Sequence, residues 1–301
     1  MNAVTGVFGY TGKYIARRLL ALGEPVITLT GHPDQPNEFG PSVKAFPFQF
    51  DNPDAMAESL AGVRVLYNTY WIRFDRGRTT HRRAVENTRA LLGAAEIAGV
   101  ERVVHISITN PALTSPLPYF RGKAVLEDRI RQARFSYAII RPTVVFGLED
   151  ILINNIAFLL RKLPLFIIPG TGQYRLQPVY VEDLARIAVD AAHSSGNIVV
   201  DAVGPEIFSF QELVRLLAKA VRSRAIIWHA APSLALAAAH LLGAVFHDVV
   251  LTRDELEGLM ANLLISRSAP TGSTSLSTWL ADNAGSLGTR YASEVNRHYR
   301  S

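Results

Sequence analysis

Short apolar runs rich in β-branched residues recur along the first two thirds of the chain. They lie at residues 2–4, 26–30, 45–50, 63–69, 103–107, 137–141 and 198–202. Segments with apolar residues at helical spacing lie between several of them, at residues 14–22, 54–60, 80–98, 123–132 and 181–192. Nearly continuous apolar strands that alternate with helices are typical of a parallel sheet buried on both faces. The pattern therefore predicts an α/β fold built on a doubly wound parallel sheet.

The periodicity changes after residue 147. Residues 148–163 predict a helix, residues 164–177 an irregular segment with proline and glycine, and residues 178–181 a return to the sheet. The remainder is mostly helical, with helices predicted at residues 210–221, 232–242, 253–264 and 275–284.

These patterns predict two domains. Residues 1–147 and 177–203 are expected to form the larger domain around the sheet. Residues 148–176 and 204–301 are expected to form a smaller, mostly helical domain that contacts a substrate or a partner.

Composition narrows the classes of function. The chain has 301 residues and no cysteine, which excludes disulfides, thiolate nucleophiles and cysteine-based metal sites. The eight histidines are scattered and the sequence has neither an HExxH nor a GxSxG motif, so we predict no metal and no catalytic-triad hydrolysis. The charge of +5 is modest and spread along the chain, so nucleic acid is not expected as a partner. No signal-peptide pattern is seen, and we expect a cytoplasmic protein.

A glycine-rich loop follows the first predicted strand and reads TGVFGYTG. Gly6 permits a tight turn, Gly9 lets the backbone approach a phosphate, and Gly12 lets the helix pack closely on the strand. The N-terminus of the helix that follows offers unpaired N–H groups and a partial positive charge. The loop therefore predicts a site for the pyrophosphate of a dinucleotide, with a glycine-rich loop that binds nothing as the alternative.

Further motifs follow the loop in a fixed order. They are an acidic residue after the third strand (Asp51), YxxxK (Tyr119 to Lys123), RPxxxxG (Arg141 to Gly147) and QPVYVED (Gln177 to Asp183). With these motifs the chain resembles the extended, partly atypical branch of the short-chain dehydrogenase/reductase superfamily. That branch includes epimerase/dehydratase-like and NmrA-like NAD(P)-binding proteins and relatives of a complex I accessory subunit. The resemblance implies a Rossmann sheet and an NAD(P) cofactor.

The resemblance also implies roles for individual residues. Tyr119 would be the acid/base, Lys123 would tune it and bind the nicotinamide ribose, and Asn87 would support the hydrogen-bond network. Ser107 would hold the substrate oxygen, with Thr109 as its competitor. The chemistry is physically reasonable, because residues four apart share one face of a helix and an adjacent ammonium favours the phenolate form of tyrosine.

The cofactor-binding residues implied by the resemblance lie in the glycine loop and after the strands. They are Gly6, Phe8, Gly9, Tyr10, Thr11, Gly12, Thr30, His32, Asp51, Asn68, Thr69, Tyr70, Lys123 and Pro142. The second strand ends without the acidic residue that would bind a ribose 2′-hydroxyl, since Asp34 comes too late. We therefore favour NADP over NAD, with Thr30, His32 and Lys13 or Arg17 around the 2′-phosphate.

Two segments bear on partners. Five arginines follow the fourth strand: Arg73, Arg76, Arg78, Arg82 and Arg83. They suit an anionic small-molecule substrate, although a solvated loop is the interpretation we favour. Residues 234–246 are strongly apolar but too short for a membrane span and contain His240. We expect a buried helix there, with a homodimer or a peripheral membrane contact as alternatives.

The function that follows is an NAD(P)-dependent oxidoreductase or epimerase/dehydratase-like enzyme. It would move a hydride between nicotinamide and a carbinol or carbonyl carbon. The alternative is a non-catalytic dinucleotide-binding protein, acting as a redox sensor or as a structural subunit.

Overall fold

Strands and helices alternate through the first half of the chain, as the apolar pattern predicts. The computed structural model describes residues 1–298. The first elements are β1 (Asn2–Thr5), α1 (Tyr10–Ala21), β2 (Val26–Thr30), β3 (Val43–Pro47), α2 (Pro53–Ser59), β4 (Val65–Asn68), α3 (His81–Ile97), β5 (Arg102–Ile106), α4 (Pro118–Arg131) and β6 (Ser136–Pro142).

The later part of the chain has shorter strands and more helices. Its elements are β7 (Val145–Phe146), α5 (Leu152–Lys162), β8 (Leu165–Pro169), β9 (Arg175–Leu176), β10 (Val179–Tyr180), α6 (Val181–Ala192), β11 (Ile198–Ala202), β12 (Phe208–Ser209), α7 (Phe210–Ala220), β13 (Ile226–Ala230), α8 (Pro232–Phe246), α9 (Arg253–Met260), α10 (Leu276–Asn283) and α11 (Glu294–His298).

Within the described residues the main sheet has seven strands in the order β11-β6-β5-β4-β1-β2-β3. All of its strand pairs are parallel. β1, β2 and β5 are buried along their whole length, which accounts for their nearly continuous apolar sequences. The strand order reverses between β1 and β4, and ligands of such sheets bind beyond the carboxyl ends of the strands at this point. The predicted doubly wound α/β fold is confirmed.

The chain divides into two compact units. The sheet unit contains Met1–Pro142 and Val181–Ala202, and the second unit contains Thr143–Tyr180 and the chain from Val203 onward. A large buried cluster in the second unit includes Phe146, Leu213 and Trp279. The role of this unit in contacting a substrate or a partner stays a prediction.

The second unit differs in places from the sequence expectation. The segment predicted to be irregular forms β8 and β9, and β8 pairs in parallel with β13, a strand that the sequence pattern did not indicate. Neither strand has a clear alternation of its own, because each is completed by a partner far away in sequence. Helix α5 begins at Leu152 rather than at residue 148, and the buried Asp150 side chain before it accepts the backbone N–H of Ile153 at 2.6 Å.

Helix α8 is buried on one face only, so the expectation of a buried helix is wrong for its other face. Ala235, Ala239 and Gly243 face the interior, whereas Leu241 and Val245 are 71% and 68% exposed. No helix among residues 1–298 is both long and apolar enough to cross a membrane.

Candidate dinucleotide and acid/base site

The glycine loop connects the end of β1 to α1. Gly6 has a left-handed backbone with φ of +64°, and its carbonyl accepts the N–H of Gly9 at 2.9 Å. A Cβ on Gly12 would lie 2.4 Å from the Gly6 carbonyl oxygen, so only glycine fits there. The other loop residues assigned to the cofactor are half-buried: Phe8, Tyr10 and Thr11.

Helix α1 begins with an open first turn. Its N-cap is Gly9, which has no side chain to cap the first turn. The first N–H groups of a helix have no partner within the helix and carry its positive dipole end, so they suit phosphate oxygens. The close backbone approach at Gly12 and this uncapped turn fit the pyrophosphate of a dinucleotide.

Thr5 joins the glycine loop to the segment after β4. Its buried hydroxyl accepts the backbone N–H groups of Thr69 and Tyr70 at 2.8 and 3.0 Å. The Thr69 hydroxyl donates to the Thr5 carbonyl at 2.5 Å, and the Tyr70 N–H also lies 3.1 Å from Asn68 Oδ1. The structure thus brings three predicted cofactor residues beside the glycine loop. Thr5 was not predicted as a site residue. The sequence feature that could have indicated it is a threonine at the end of an apolar first strand.

Tyr70 connects this segment to Asn87 on α3. Its hydroxyl accepts a hydrogen bond from Asn87 Nδ2 at 2.9 Å. Its ring lies 5.2 and 5.1 Å from the ring centres of Phe48 and Phe50, and burial raises the pKa of the phenol. Asp51 follows Phe50 in an exposed turn before α2. Asn87 is therefore bonded to Tyr70, one of the predicted cofactor residues.

An ion pair that no sequence motif indicated joins α1 to the loop between β2 and β3. Arg17 on α1 donates from Nε and Nη2 to the two carboxylate oxygens of Glu38, each at 2.6 Å. The hydrogen bond from Arg17 holds the pKa of Glu38 below its usual value, with a smaller contribution from the charge of Lys13. Nearby, the buried Thr30 hydroxyl accepts the N–H of the exposed His32 at 3.2 Å. The position of Glu38 in a long loop gave no local signal.

Helix α4 carries the predicted acid/base pair. It begins at Pro118, five residues before the predicted start. Proline is well tolerated as the first residue of a helix, because its fixed φ suits the helix and its missing N–H is not needed there. Tyr119 is half-buried in the first turn, and Lys123 is buried one turn later. Lys123 Nζ donates to the Ile106 carbonyl at 2.6 Å and lies 4.5 Å from the centre of the Trp71 ring. Burial lowers the pKa of Lys123 to about 7, opposed by the negative charge of Glu127.

Aromatic side chains surround Tyr119. The Trp71 and His81 ring centres lie 5.7 and 5.8 Å from that of Tyr119. His81 is buried, and Asp75 Oδ1 lies 2.7 Å from its backbone nitrogen and 2.6 Å from its Nδ1. No motif in the sequence points to His81 or Asp75, because their contact depends on the turn before α3.

Ser107 lies at the end of β5, with its hydroxyl turned toward a buried carboxylate. Ser107 Oγ donates to Glu127 Oε1 at 2.6 Å, and Arg141 donates to the two oxygens of Glu127 at 2.9 and 2.5 Å. The competing residue Thr109 is fully buried, and its backbone N–H donates to the Pro142 carbonyl at 3.0 Å. The sequence analysis did not single out Glu127, although it follows Lys123 by one helical turn.

Comparisons with known proteins agree with this architecture. A family model described as NAD(P)H-binding matches residues 6–150. NADH dehydrogenase (ubiquinone) 1 alpha subcomplex subunit 9 of Arabidopsis thaliana, a mitochondrial protein, is 26% identical over 230 residues. The match takes in 73% of this chain and 57% of that protein, so the chain spans less than two thirds of that relative's length. Together these matches support an extended short-chain dehydrogenase/reductase-like superfamily of NAD(P)-binding proteins.

Solved structures share the fold of this superfamily. A nucleoside-diphosphate-sugar epimerase from Staphylococcus aureus superposes with a TM-score of 0.75 at 16% identity, covering 93% of this chain and 99% of that one. An NADPH-dependent quinone oxidoreductase from Escherichia coli, solved with NADPH, gives 0.74 at 20% identity and covers 95% and 99%. At these identities the likeness establishes the fold and leaves the reaction open.

The five arginines lie in the loop after β4 and at the start of α3. Arg76, Arg78, Arg82 and Arg83 are exposed, and Arg82 lies 3.9 Å from Glu86 on the same helix. This exposure favours a solvated loop. Across the described part of the chain, no group of three or more histidine, aspartate or glutamate side chains is placed to hold a metal ion.

Proposed function

We propose that this protein is an NAD(P)-dependent oxidoreductase or epimerase-like enzyme with Tyr119 as its acid/base. The observation that carries the proposal is the buried ammonium of Lys123, one helical turn beyond Tyr119. Burying a lysine is costly unless it is well paired, and strongly perturbed pKa values in a cleft favour a functional role. Here the pKa is lowered to about 7.

The residues of the chain divide the work of such a reaction. The glycine loop and the open first turn of α1 would hold the pyrophosphate, with Thr69 and Tyr70 beside them. A bound nicotinamide cofactor supplies or accepts the hydride. Tyr119 would give or take the hydroxyl proton, and the positive charge of Lys123 would favour the phenolate. Ser107 would act as an acceptor toward a substrate hydroxyl, because its own hydrogen is directed to Glu127.

Replacing Tyr119 with phenylalanine tests the catalytic proposal. Purified protein would be assayed with NADH and NADPH against a panel of aldehydes, ketones and quinones, and cofactor binding would be measured by calorimetry. Loss of an acid/base lowers turnover by roughly 10²–10⁴-fold, and we expect cofactor affinity to stay the same. Tyr137→Phe, on β6, is the matched control. Full turnover by Tyr119→Phe would refute the assignment.

We propose NADP(H) rather than NAD(H) as the cofactor. No carboxylate directly follows β2, and Lys13 and Arg17 lie on the adjoining helix. Glu38 weakens this preference, since its carboxylate already engages Arg17 and a 2′-phosphate would compete with it.

A non-catalytic dinucleotide-binding role is the second candidate. It is favoured by the contacts of Ser107 and Lys123, whose polar groups are bonded to Glu127 and to the Ile106 carbonyl. The similarity to NADH dehydrogenase (ubiquinone) 1 alpha subcomplex subunit 9 of Arabidopsis thaliana leaves this candidate open. Under it, the protein would bind the cofactor but reduce or oxidise no member of the panel.

The partners of the protein and its location in the cell are also proposals. The substrate is proposed to be a small molecule, with an anionic group as the alternative that the five arginines suit. The exposed face of α8, with Leu234, Leu241 and Val245, suits a homodimer or a peripheral membrane contact. The expectation of a cytoplasmic protein rests on the sequence alone.

A further inference from the structure

Trp71 touches both members of the proposed acid/base pair, and the mechanism above gives it no role. Its ring centre lies 4.5 Å from Lys123 Nζ, which sits over the ring. On another side, its ring meets that of Tyr119 edge to face, with centres 5.7 Å apart and planes at 81°. One side chain therefore contacts the groups whose spacing determines proton transfer.

The backbone of α4 is shaped to admit the indole. A Cβ added to Gly122 would lie 2.8 Å from Cη2 and 3.2 Å from Cζ2 of Trp71. Both distances are shorter than ordinary van der Waals contact, so the glycine between Tyr119 and Lys123 leaves the space that the ring occupies. Any larger residue would push the indole away from the helix.

A further ring contact also holds the indole. The His81 ring centre lies 5.8 Å from that of Trp71, and Asp75 holds His81 through its backbone nitrogen and its Nδ1. Trp71 directly follows Tyr70, whose N–H is bound by the Thr5 hydroxyl. The position of the indole is thus connected to the glycine loop as well as to α3 and α4.

We propose that Trp71 is a positioning residue for the acid/base pair, its indole holding the Lys123 ammonium on its face and the Tyr119 ring beside it. A cation over an aromatic face is attracted by the ring quadrupole, most strongly by tryptophan and in a desolvated site. The interaction favours the charged form of Lys123, which burial alone disfavours. This inference rests on the proposed function, in which that charge tunes Tyr119.

The titration of Lys123 in the cofactor-free protein provides the test. The chain has five lysines, so side-chain nitrogen NMR can resolve them, with Lys123→Met giving the assignment: Lys13, Lys44, Lys123, Lys162 and Lys219. Trp71→Leu should move the titration midpoint of Lys123 downward by roughly half to one pH unit, as expected for the loss of a cation–π contact. Trp71→Phe should recover part of the shift, because phenylalanine binds cations more weakly than tryptophan.

Matched variants separate this effect from a general loss of structure. Trp228→Leu removes an exposed tryptophan from β13 and should leave the Lys123 midpoint unchanged. Gly122→Ala displaces the indole without removing it and should lower the midpoint in the same direction, which covers the case in which Trp71→Leu does not fold. An unchanged or raised midpoint in a folded Trp71→Leu or Gly122→Ala protein overturns the proposal, as does a Phe variant no better than Leu.

The same variants distinguish the two proposals from each other. If Tyr119→Phe retains full turnover but Trp71→Leu still shifts the Lys123 midpoint, the catalytic assignment fails and the positioning contact stands. If Tyr119→Phe abolishes turnover and the midpoint does not move, the reverse holds. With both correct, Trp71→Leu lowers kcat for any active member of the panel and leaves the Kd for the cofactor within about twofold.

Discussion

Replacing Glu127 with glutamine should destabilise the protein far more than the same change in a surface ion pair. The Glu127 side chain is 4% exposed and its oxygens receive Arg141 at 2.9 and 2.5 Å, together with the Ser107 hydroxyl at 2.6 Å. Removing one partner of a buried pair costs about 3–5 kcal/mol, because the other charge is left unpaired. Arg141 keeps 25% of its side chain exposed, so we expect about 2–3 kcal/mol.

Glu101→Gln is the matched control. Glu101 also receives a guanidinium at two oxygens, from Arg64 at 3.1–3.2 Å, but the two side chains are 60% and 71% exposed. Exposed pairs contribute about 0–1 kcal/mol. Urea unfolding followed by circular dichroism would give the free energy of unfolding of each variant. Equal losses for the two substitutions would refute the reasoning that burial, rather than hydrogen-bond geometry, sets the cost.

Three further predictions concern the rest of the site. Gly12→Ala should weaken dinucleotide binding at least tenfold in a calorimetric titration, because its Cβ would lie 2.4 Å from the Gly6 carbonyl oxygen. Gly93→Ala is the matched control, because Gly93 also lies within a helix and an added Cβ there would meet no atom within 4 Å. Glu38→Gln should raise affinity for NADPH relative to NADH by releasing Arg17 from its carboxylate, and an unchanged ratio would remove Arg17 from cofactor selection. The pKa of Lys123 is about 7 in the folded chain, against 10.5 for an unperturbed lysine. Between these pH values the unfolded state binds more protons than the folded state. The free energy of unfolding therefore rises with pH, by at most about 1.4 kcal/mol per pH unit. Lys123→Met should therefore be more stable than the parent protein below pH 7 and lose this advantage toward pH 10. Parallel stability curves for the two proteins would contradict a lowered pKa for Lys123.

Much of the sheet unit could be predicted because its signals are local. The strands of a parallel sheet are buried on both faces, so each is apolar almost throughout and stands out without reference to its partners. The glycine loop has a similar local signal, since Gly6 needs a left-handed backbone and Gly12 a missing Cβ. The second unit was harder to predict because β8 and β13 are short and pair across about sixty residues.

Residues of the candidate site were predicted where a motif spacing carried the information. Tyr119 and Lys123 stand four apart on one helix, and the segment from Asn68 to Tyr70 follows a recognisable strand. Glu38, Glu127 and His81 were missed because their roles depend on which partner they meet. Nothing in the sequence pairs Glu38 with Arg17, or Glu127 with Arg141.

The sequence by itself determined the fold class, and it indicated a superfamily and a candidate place for a dinucleotide. These depend on periodicity, on glycine geometry and on short motifs, which are properties of adjacent residues. Only the tertiary structure decided that Ser107 gives its hydrogen to Glu127, that the buried Lys123 ammonium lies against the Trp71 ring, and that one face of α8 remains exposed. Hydrogen-bond direction, desolvation and exposure depend on what the fold brings close in space, and that information is absent from any single segment of the chain.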